Sequence, residues 1–486
     1  MKIIGRKVRA AALMGTAVVS VMAFAAWTRA QNHNARDQDS FAQQRSNDNP
    51  WPYARTGKSP VLVAVGDIAC QPGEAESGEP AKELCSAGLP NGTLIPQNLF
   101  ASQAATAQQI ESIKPDLVAL LGDEQYQVGQ YSDFENSYDL TYGAFKAITR
   151  PAPGNHEFYT EHHAIGVAGY GYFSYFNGVR QITTGSGSGS FPVGSPVMAT
   201  VSGNPDTGGT FTQPVPNSDG QAGHFAQSGG LGTAVYANGP TAGANAPVGV
   251  GNGWYSYNLG SWHIISLNIE CETQPGGCSG GDGSWIAQET EWLKNDLAAN
   301  HSACTLAYWH QPTYSAADSL SLEGNTAGAW WQLLYAAGAD LVLNGHDHLY
   351  ARYRPIKPYF DAAADTAHAG EGGAASAGTW LGTYDPARGI REFIVGTGGE
   401  TLDAVVAKPA SATDYDAIFN SQNLEAASGN YWGVMALTLD PNGYKWDFES
   451  ALEDPAQPTA PGYSDKGAAM CHGSSGDHFG DGDHDH

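Results

Sequence analysis

Residues 339–348 read Ala-Asp-Leu-Val-Leu-Asn-Gly-His-Asp-His, ADLVLNGHDH: an apolar run that stops at glycine and opens into two histidines and an aspartate. The run is too short and too uniformly apolar for an amphipathic helix, and it fits a strand buried on both faces. The same pattern recurs along the chain. It appears in PVLVAVGDIA (60–69), PDLVALLGDEQY (115–126), ITRPAPGNHE (148–157) and CTLAYWHQP (304–312). Helical patterns lie between these runs: NLFASQAATAQQIESIK (98–114), SWIAQETEWLKNDLAAN (284–300) and AGAWWQLLYAAG (327–338). Buried strands alternating with helices predict an α/β layered core, and such sheets bind ligands beyond the carboxyl ends of their strands.

Each polar cluster falls at that end. Collected, they offer Asp67, Asp123, Tyr126, Asn155, His156, His310, His346 and His348. Carboxylates, imidazoles, an amide oxygen and a phenolate are all competent metal ligands. The mixture of hard oxygen and borderline nitrogen suits iron, manganese or zinc rather than calcium. Each motif alone is a common turn or loop signal. Their repetition at five successive strand ends makes the case.

The bulk composition agrees with a metal site. Only 15% of the 486 residues are charged, and 49 acids against 23 bases leave a net charge of −26. Nucleic acids and anionic membranes are bound by basic surfaces, so neither is expected as a partner. An anionic substrate would need a local positive centre, which bound cations supply.

Residues 1–30 carry a basic start (Lys2, Arg6, Lys7, Arg9), an apolar stretch to about Trp27 and small residues ending at Ala30. This is the pattern of a secretory signal peptide, so a secreted or periplasmic protein is expected, with no stable membrane insertion after cleavage. Residues 31–58 read as a flexible leader, 59–453 as the main domain and 454–486 as a low-complexity His/Asp tail. Within the domain, 178–253 and 356–388 read as long insertions rich in small residues, and the first is assigned no secondary structure. Residues 433–450 alternate around Asn442-Gly443 and predict a hairpin. Export makes disulfides the default for Cys70, Cys85, Cys271, Cys278, Cys304 and Cys471, with the short loops 70/85 and 271/278 as first choices.

In order and spacing the motifs closely resemble the calcineurin-like metallophosphoesterases, and within them the purple acid phosphatases. That pattern runs D…GDxxY…GNH[DE]…H…GHxH. It is met here by Asp67, GDEQY (122–126), GNHE (154–157), His310 and GHDH (345–348), and the likeness extends over roughly 60–450. GHDHLYARYRP also resembles the plant-type GHxHxYER, with Tyr350 and Arg352 matching and Ala351 in place of Glu. The wider superfamily usually opens with D-x-H. Ala69 occupies the His position, and Tyr126 restores a ligand, which is the purple-acid arrangement.

The resemblance implies two facing mixed β-sheets flanked by helices and a binuclear centre at the sheet ends. Fe(III) would be held by Asp67, Tyr126 and His348, and a second Fe, Zn or Mn by Asn155, His310 and His346, with Asp123 bridging both. The implied activity is hydrolysis of a small-molecule phosphate monoester by in-line attack of a metal-bound hydroxide. His156 would serve as proton donor, Glu157 would orient it, and Asn155, His156 and Arg352 would contact substrate. The plant enzymes' extra phosphate-contacting histidines have only His162 and His163 as counterparts by type. Alternatives are a phosphodiesterase or nucleotidase on the same site, a zinc-only esterase, and a surface binding protein with a relic metal site.

Overall fold

Val61–Val65 (β1) alternates its side chains between two environments, and both are dry. Leu62 and Ala64 enter one core cluster, Val63 and Val65 another, and all four have no solvent exposure. The period of two along a strand explains how an unbroken apolar run serves two cores at once. A computed structural model describes residues 58–70, 99–129, 133–134, 137–159, 169–177, 197–202, 210–215, 235–236, 253–271, 278, 284–317, 327–361, 379–405, 423–453 and 462–472.

The next strands are β2 (Leu117–Leu121), β3 (Thr149–Ala152), β4 (Val197–Ser202), β5 (Thr210–Val215) and β6 (Val235–Tyr236). Then come β7 (Tyr255–Leu259), β8 (Trp262–Ser266), β9 (Cys304–Tyr308), β10 (Leu341–Asn344), β11 (Tyr350–Tyr353) and β12 (Ile356–Asp361). β13 (Thr379–Tyr384), β14 (Arg391–Val395), β15 (Leu424–Ser428), β16 (Tyr431–Asp440), β17 (Gly443–Glu453) and β18 (Ser464–Met470) complete the series. The α-helices are α1 (Leu99–Ile113), α2 (Asn155–Phe158), α3 (Tyr170–Asn177), α4 (Trp285–Ala299) and α5 (Gly328–Ala337).

Two mixed sheets face each other. One has six strands in the order β18-β17-β16-β1-β2-β3, and the other eight in the order β15-β11-β14-β10-β9-β8-β7-β6. Between them lies a core drawn from both, with Leu62, Ala119, Leu121 and Leu437 from the first and Trp262, Ile264, Leu306 and Leu343 from the second. On the outer face of the first sheet Val63, Val118 and Leu120 join Ala107 and Ile110 of α1. On the outer face of the second, Ile265, Ala307 and Val342 join Leu293 of α4 and Trp330, Trp331 and Leu334 of α5. The expected α/β sandwich is therefore the observed one. Ser284 caps α4 by accepting the Ala287 N–H at 3.3 Å, and Gly338 ends α5 in the left-handed conformation that favours glycine. Among the described residues no helix is long and apolar enough to cross a membrane.

Several expectations need correction. The 178–253 stretch contains the β4–β5 hairpin, and β6 within it extends the eight-stranded sheet. The 356–388 stretch, read as an insertion, contains β12 and β13, which pair with each other. The tail is not low-complexity throughout. β18 pairs along β17 from Gly443↔Met470 to Glu449↔Ser464, and Cys471 just beyond it is bonded to Cys304. The hairpin's loop is Pro441-Asn442, with Asp440 facing Gly443 as a pair.

Cys271–Cys278 is bonded as expected. Cys70 is also disulfide-bonded, and its expected partner Cys85 lies outside the described residues. So do the signal-peptide residues, almost all of the leader, and His162 and His163.

Candidate metal centre

The strand ends converge at one edge of the two sheets. Asp67 follows β1, Asp123 and Tyr126 follow β2, Asn155 opens α2 after β3, His310 follows β9, and His346 and His348 follow β10. Three of these leave their strands in a left-handed backbone conformation: Asp67 at φ 61°, Asp123 at 49° and His346 at 68°. Such a conformation in a non-glycine residue persists only where its surroundings fix it, at about 1–3 kcal/mol each, and it gathers at functional sites. The motif glycines have a steric reason as well. A Cβ on Gly122 would stand 2.4 Å from His310 Nδ1, and one on Gly154 2.1 Å from Asp123 Oδ1.

The side chains form two groups that share one atom. In the first, Tyr126 Oη lies 2.9 Å from Asp67 Oδ1, 3.0 Å from Asp123 Oδ2 and 2.9 Å from His348 Nε2. In the second, Asn155 Oδ1 lies 2.9 Å from His310 Nε2 and 3.1 Å from His346 Nδ1, and those two nitrogens are 3.2 Å apart. His310 Nε2 is in turn 3.0 Å from Asp123 Oδ2. Asp123 Oδ2 therefore belongs to both groups.

Backbone carbonyls aim the imidazoles. His310 Nδ1 donates to Leu121 O at 2.8 Å and His348 Nδ1 to Thr401 O at 2.7 Å, so in each ring it is Nε2 that is turned to the cluster, where it could ligate a cation once deprotonated. The other Asp67 oxygen accepts the His346 N–H at 2.9 Å, and Asp403 accepts the His348 N–H at 2.9 Å.

Burial and neighbouring charges shift these groups in opposite directions. Burial alone would raise Asp123, but the adjacent His310 and His156 hold it well below the usual carboxylate range. Burial works against a charged His310, yet the Asp123 carboxylate raises it to about 10. Burial together with the His310 charge depresses His346. Burial and the Asp123 and Asp67 carboxylates push the Tyr126 phenol above its ordinary value. The donor set fits cations: buried carboxylates, a phenol and imidazoles stand about 3 Å from one another, the spacing of neighbouring ligands around an ion held at roughly 2.0–2.2 Å.

Not every expected residue joins the cluster in its expected part. Glu157 does not orient His156. Its carboxyl is fully buried and accepts three backbone N–H groups, from Asp123 at 3.0 Å, Gln125 at 3.0 Å and Gly154 at 2.9 Å. It thereby ties the GDEQY loop to the GNHE loop. Burial, reinforced by the Asp123 charge, raises its pKa to about 8. His156 is oriented instead by Gln127, whose carbonyl lies 2.5 Å from Nδ1, and its Nε2 points towards Asp123 Oδ2 at 3.8 Å.

Arg352 is also elsewhere. Its guanidinium bonds Asp465 of β18 at 2.7 Å, pairs with Glu425 and lies over the Trp446 ring, so its part is to join the two sheets. Among the described residues no hydrogen bond links it to the cluster. Asp347 turns away from the site, with Ser315 donating to it at 2.5 Å. Tyr159 was not anticipated. Its hydroxyl is 2.7 Å from Asn155 Nδ2, and only its position four residues beyond Asn155 hinted at the contact.

A second donor cluster, Cys304, Asp340 and Cys471, is a structural tie. Its sulfurs form the disulfide, and Asp340 accepts the N–H groups of Thr305 and His472 at 2.9 and 2.7 Å.

The model of the calcineurin-like phosphoesterase family matches residues 60–350, more than half of the chain. Purple acid phosphatase 15 of Arabidopsis thaliana is 36% identical over 115 residues, covering 22% of this chain and 19% of that protein. Acid phosphatase A of Cryphonectria parasitica is 29% identical over 133 residues, covering 25% of each. The chain thus spans a quarter or less of the length of these curated relatives. Among solved structures, the purple acid phosphatase PPD1 from yellow lupin seeds aligns with 85% of this chain and 55% of its own. Its TM-score is 0.43 and its identity 16%.

Proposed function

The chain belongs to the calcineurin-like phosphoesterase family, and from that premise we propose that it is an exported phosphatase hydrolysing small phosphate monoesters at a binuclear metal centre. The observation that carries the reading is the shared oxygen. Asp123 Oδ2 stands 3.0 Å from Tyr126 Oη on one side and 3.0 Å from His310 Nε2 on the other, so this carboxylate would be the ligand common to both ions. Asp67, Tyr126 and His348 would hold Fe(III), whose hardness suits carboxylate and phenolate oxygen. Asn155, His310 and His346 would hold a divalent Fe, Zn or Mn. When bound, the ions neutralise phosphoryl oxygens and acidify the attacking water.

The chain's own residues do the rest. Asp123 keeps the two groups in register through Oδ2, while its Oδ1 accepts the His156 N–H at 2.9 Å, which fixes the start of α2. His156 is 17% exposed at the site, with Nδ1 committed to Gln127, so Nε2 is the atom placed to give a proton to the leaving oxygen. A tilted contact with the Tyr126 ring, 4.2 Å between centroids, holds its plane. The signal-like start and the disulfides support export.

The reading is tested by assaying metal-stripped protein, reloaded with iron and zinc, on an aryl phosphate monoester and the matching diester. The expected result is monoester hydrolysis that a chelator abolishes and metal restores. Activity on neither ester under any loading would contradict it, and faster diester hydrolysis would reassign the substrate.

A further inference from the structure

Asn155 alone among the seven donors is an amide. Its amide presents an oxygen and a nitrogen of nearly the same shape, and only the oxygen can ligate a cation. The two are sorted by their surroundings. Oδ1 faces His310 Nε2 at 2.9 Å and His346 Nδ1 at 3.1 Å, while Nδ2 meets the Tyr159 hydroxyl at 2.7 Å. Tyr159 closes the single turn of α2, and its own N–H donates to Asn155 O at 3.1 Å, which clamps the phenol over the amide. Its ring also meets the His156 ring edge-on, with centroids 4.9 Å apart.

We infer that Tyr159 is a positioning residue, whose hydroxyl accepts the Asn155 amide N–H and so keeps Oδ1 turned to the cation shared with His310 and His346. The inference rests on the binuclear reading above. With a cation on Oδ1 the amide can offer Tyr159 only its N–H, so the hydroxyl completes the amide's hydrogen bonding in the metal-loaded state. Outer partners of this kind typically change metal affinity about 10–100-fold. The Tyr126 group, built from other side chains, should be spared.

The test is calorimetric titration of metal-stripped wild type and Tyr159→Phe with Zn(II), alongside thermal unfolding of both metal-free proteins. The variant keeps the ring against His156 and removes only the hydroxyl. Two sites are expected in the wild type. In the variant one should weaken about 10–100-fold, with the other unchanged and the metal-free melting temperature preserved. Excess Zn(II) should restore kcat with KM little altered. Two sites of wild-type affinity in the variant would overturn the inference. Equal weakening of both sites with a lowered melting temperature would overturn it too, since the hydroxyl would then be serving the fold. A wild type that binds fewer than two ions would instead overturn the binuclear reading on which the inference stands.

Discussion

The two donor groups on either side of Asp123 Oδ2 differ in kind. The Tyr126 side adds a carboxylate, a phenol and one imidazole; the Asn155 side adds an amide and two imidazoles. The first can carry two negative charges of its own, the second none. On the proposed reading, the first side suits a hard, highly charged ion, and the second relies on Asp123 for its only anion. The asymmetry arises from loop chemistry on a common frame, since both groups hang from parallel strands in the same sandwich.

The most severe way to break the comparison is to remove what the sides share. Asp123→Asn should release both ions and reduce phosphomonoesterase activity to background, because acidification of water by roughly nine pKa units is lost with them. Metal analysis of the purified variant checks this directly. His156→Ala should leave both ions in place and lower kcat about 10²–10⁴-fold. The effect should be smaller for substrates with acidic leaving groups.

Tyr126→Phe should act on one side only. A visible charge-transfer band in the air-oxidised protein should disappear while zinc binding on the Asn155 side persists, as absorption and metal counts would record. Glu157→Ala should act on both sides through the backbone, leaving three buried N–H groups without their acceptor. It should lower the unfolding free energy of the metal-free protein by about 3 kcal/mol or more in urea titrations.

The smallest effect is a pH slope. In the metal-free protein His310 is raised from 6.5 to about 10, chiefly by Asp123 acting against burial. The stability this contributes is full below pH 6.5 and is lost as pH rises towards 10. Unfolding of metal-free His310→Asn should lack that part of the slope. Metal uptake at the Asn155 side should correspondingly release a proton below pH 10.

Much of this was legible because strand ends announce themselves. ADLVLNGHDH and its four counterparts give both the buried run and the polar cluster, and all five became strands. The seven expected donors also lie together. What stayed hidden depends on partners that local patterns do not carry. SDKGAAM (464–470) has no apolar alternation; it is a strand because β17 pairs with it and the Cys304–Cys471 bond anchors its end across 167 residues. Arg352 looked like a substrate contact until Asp465 of that strand claimed it. Glu157 sits beside His156 in sequence, yet its partners are backbone N–H groups, which any residue could have supplied.

The central claim, two ions sharing one carboxylate oxygen, is tested most directly by anomalous diffraction from crystals grown with iron and zinc. Two peaks about 3.5–4 Å apart are expected on either side of Asp123 Oδ2, with iron on the Tyr126 side and zinc on the Asn155 side. A single peak, or a pair that does not share Asp123, would contradict the account.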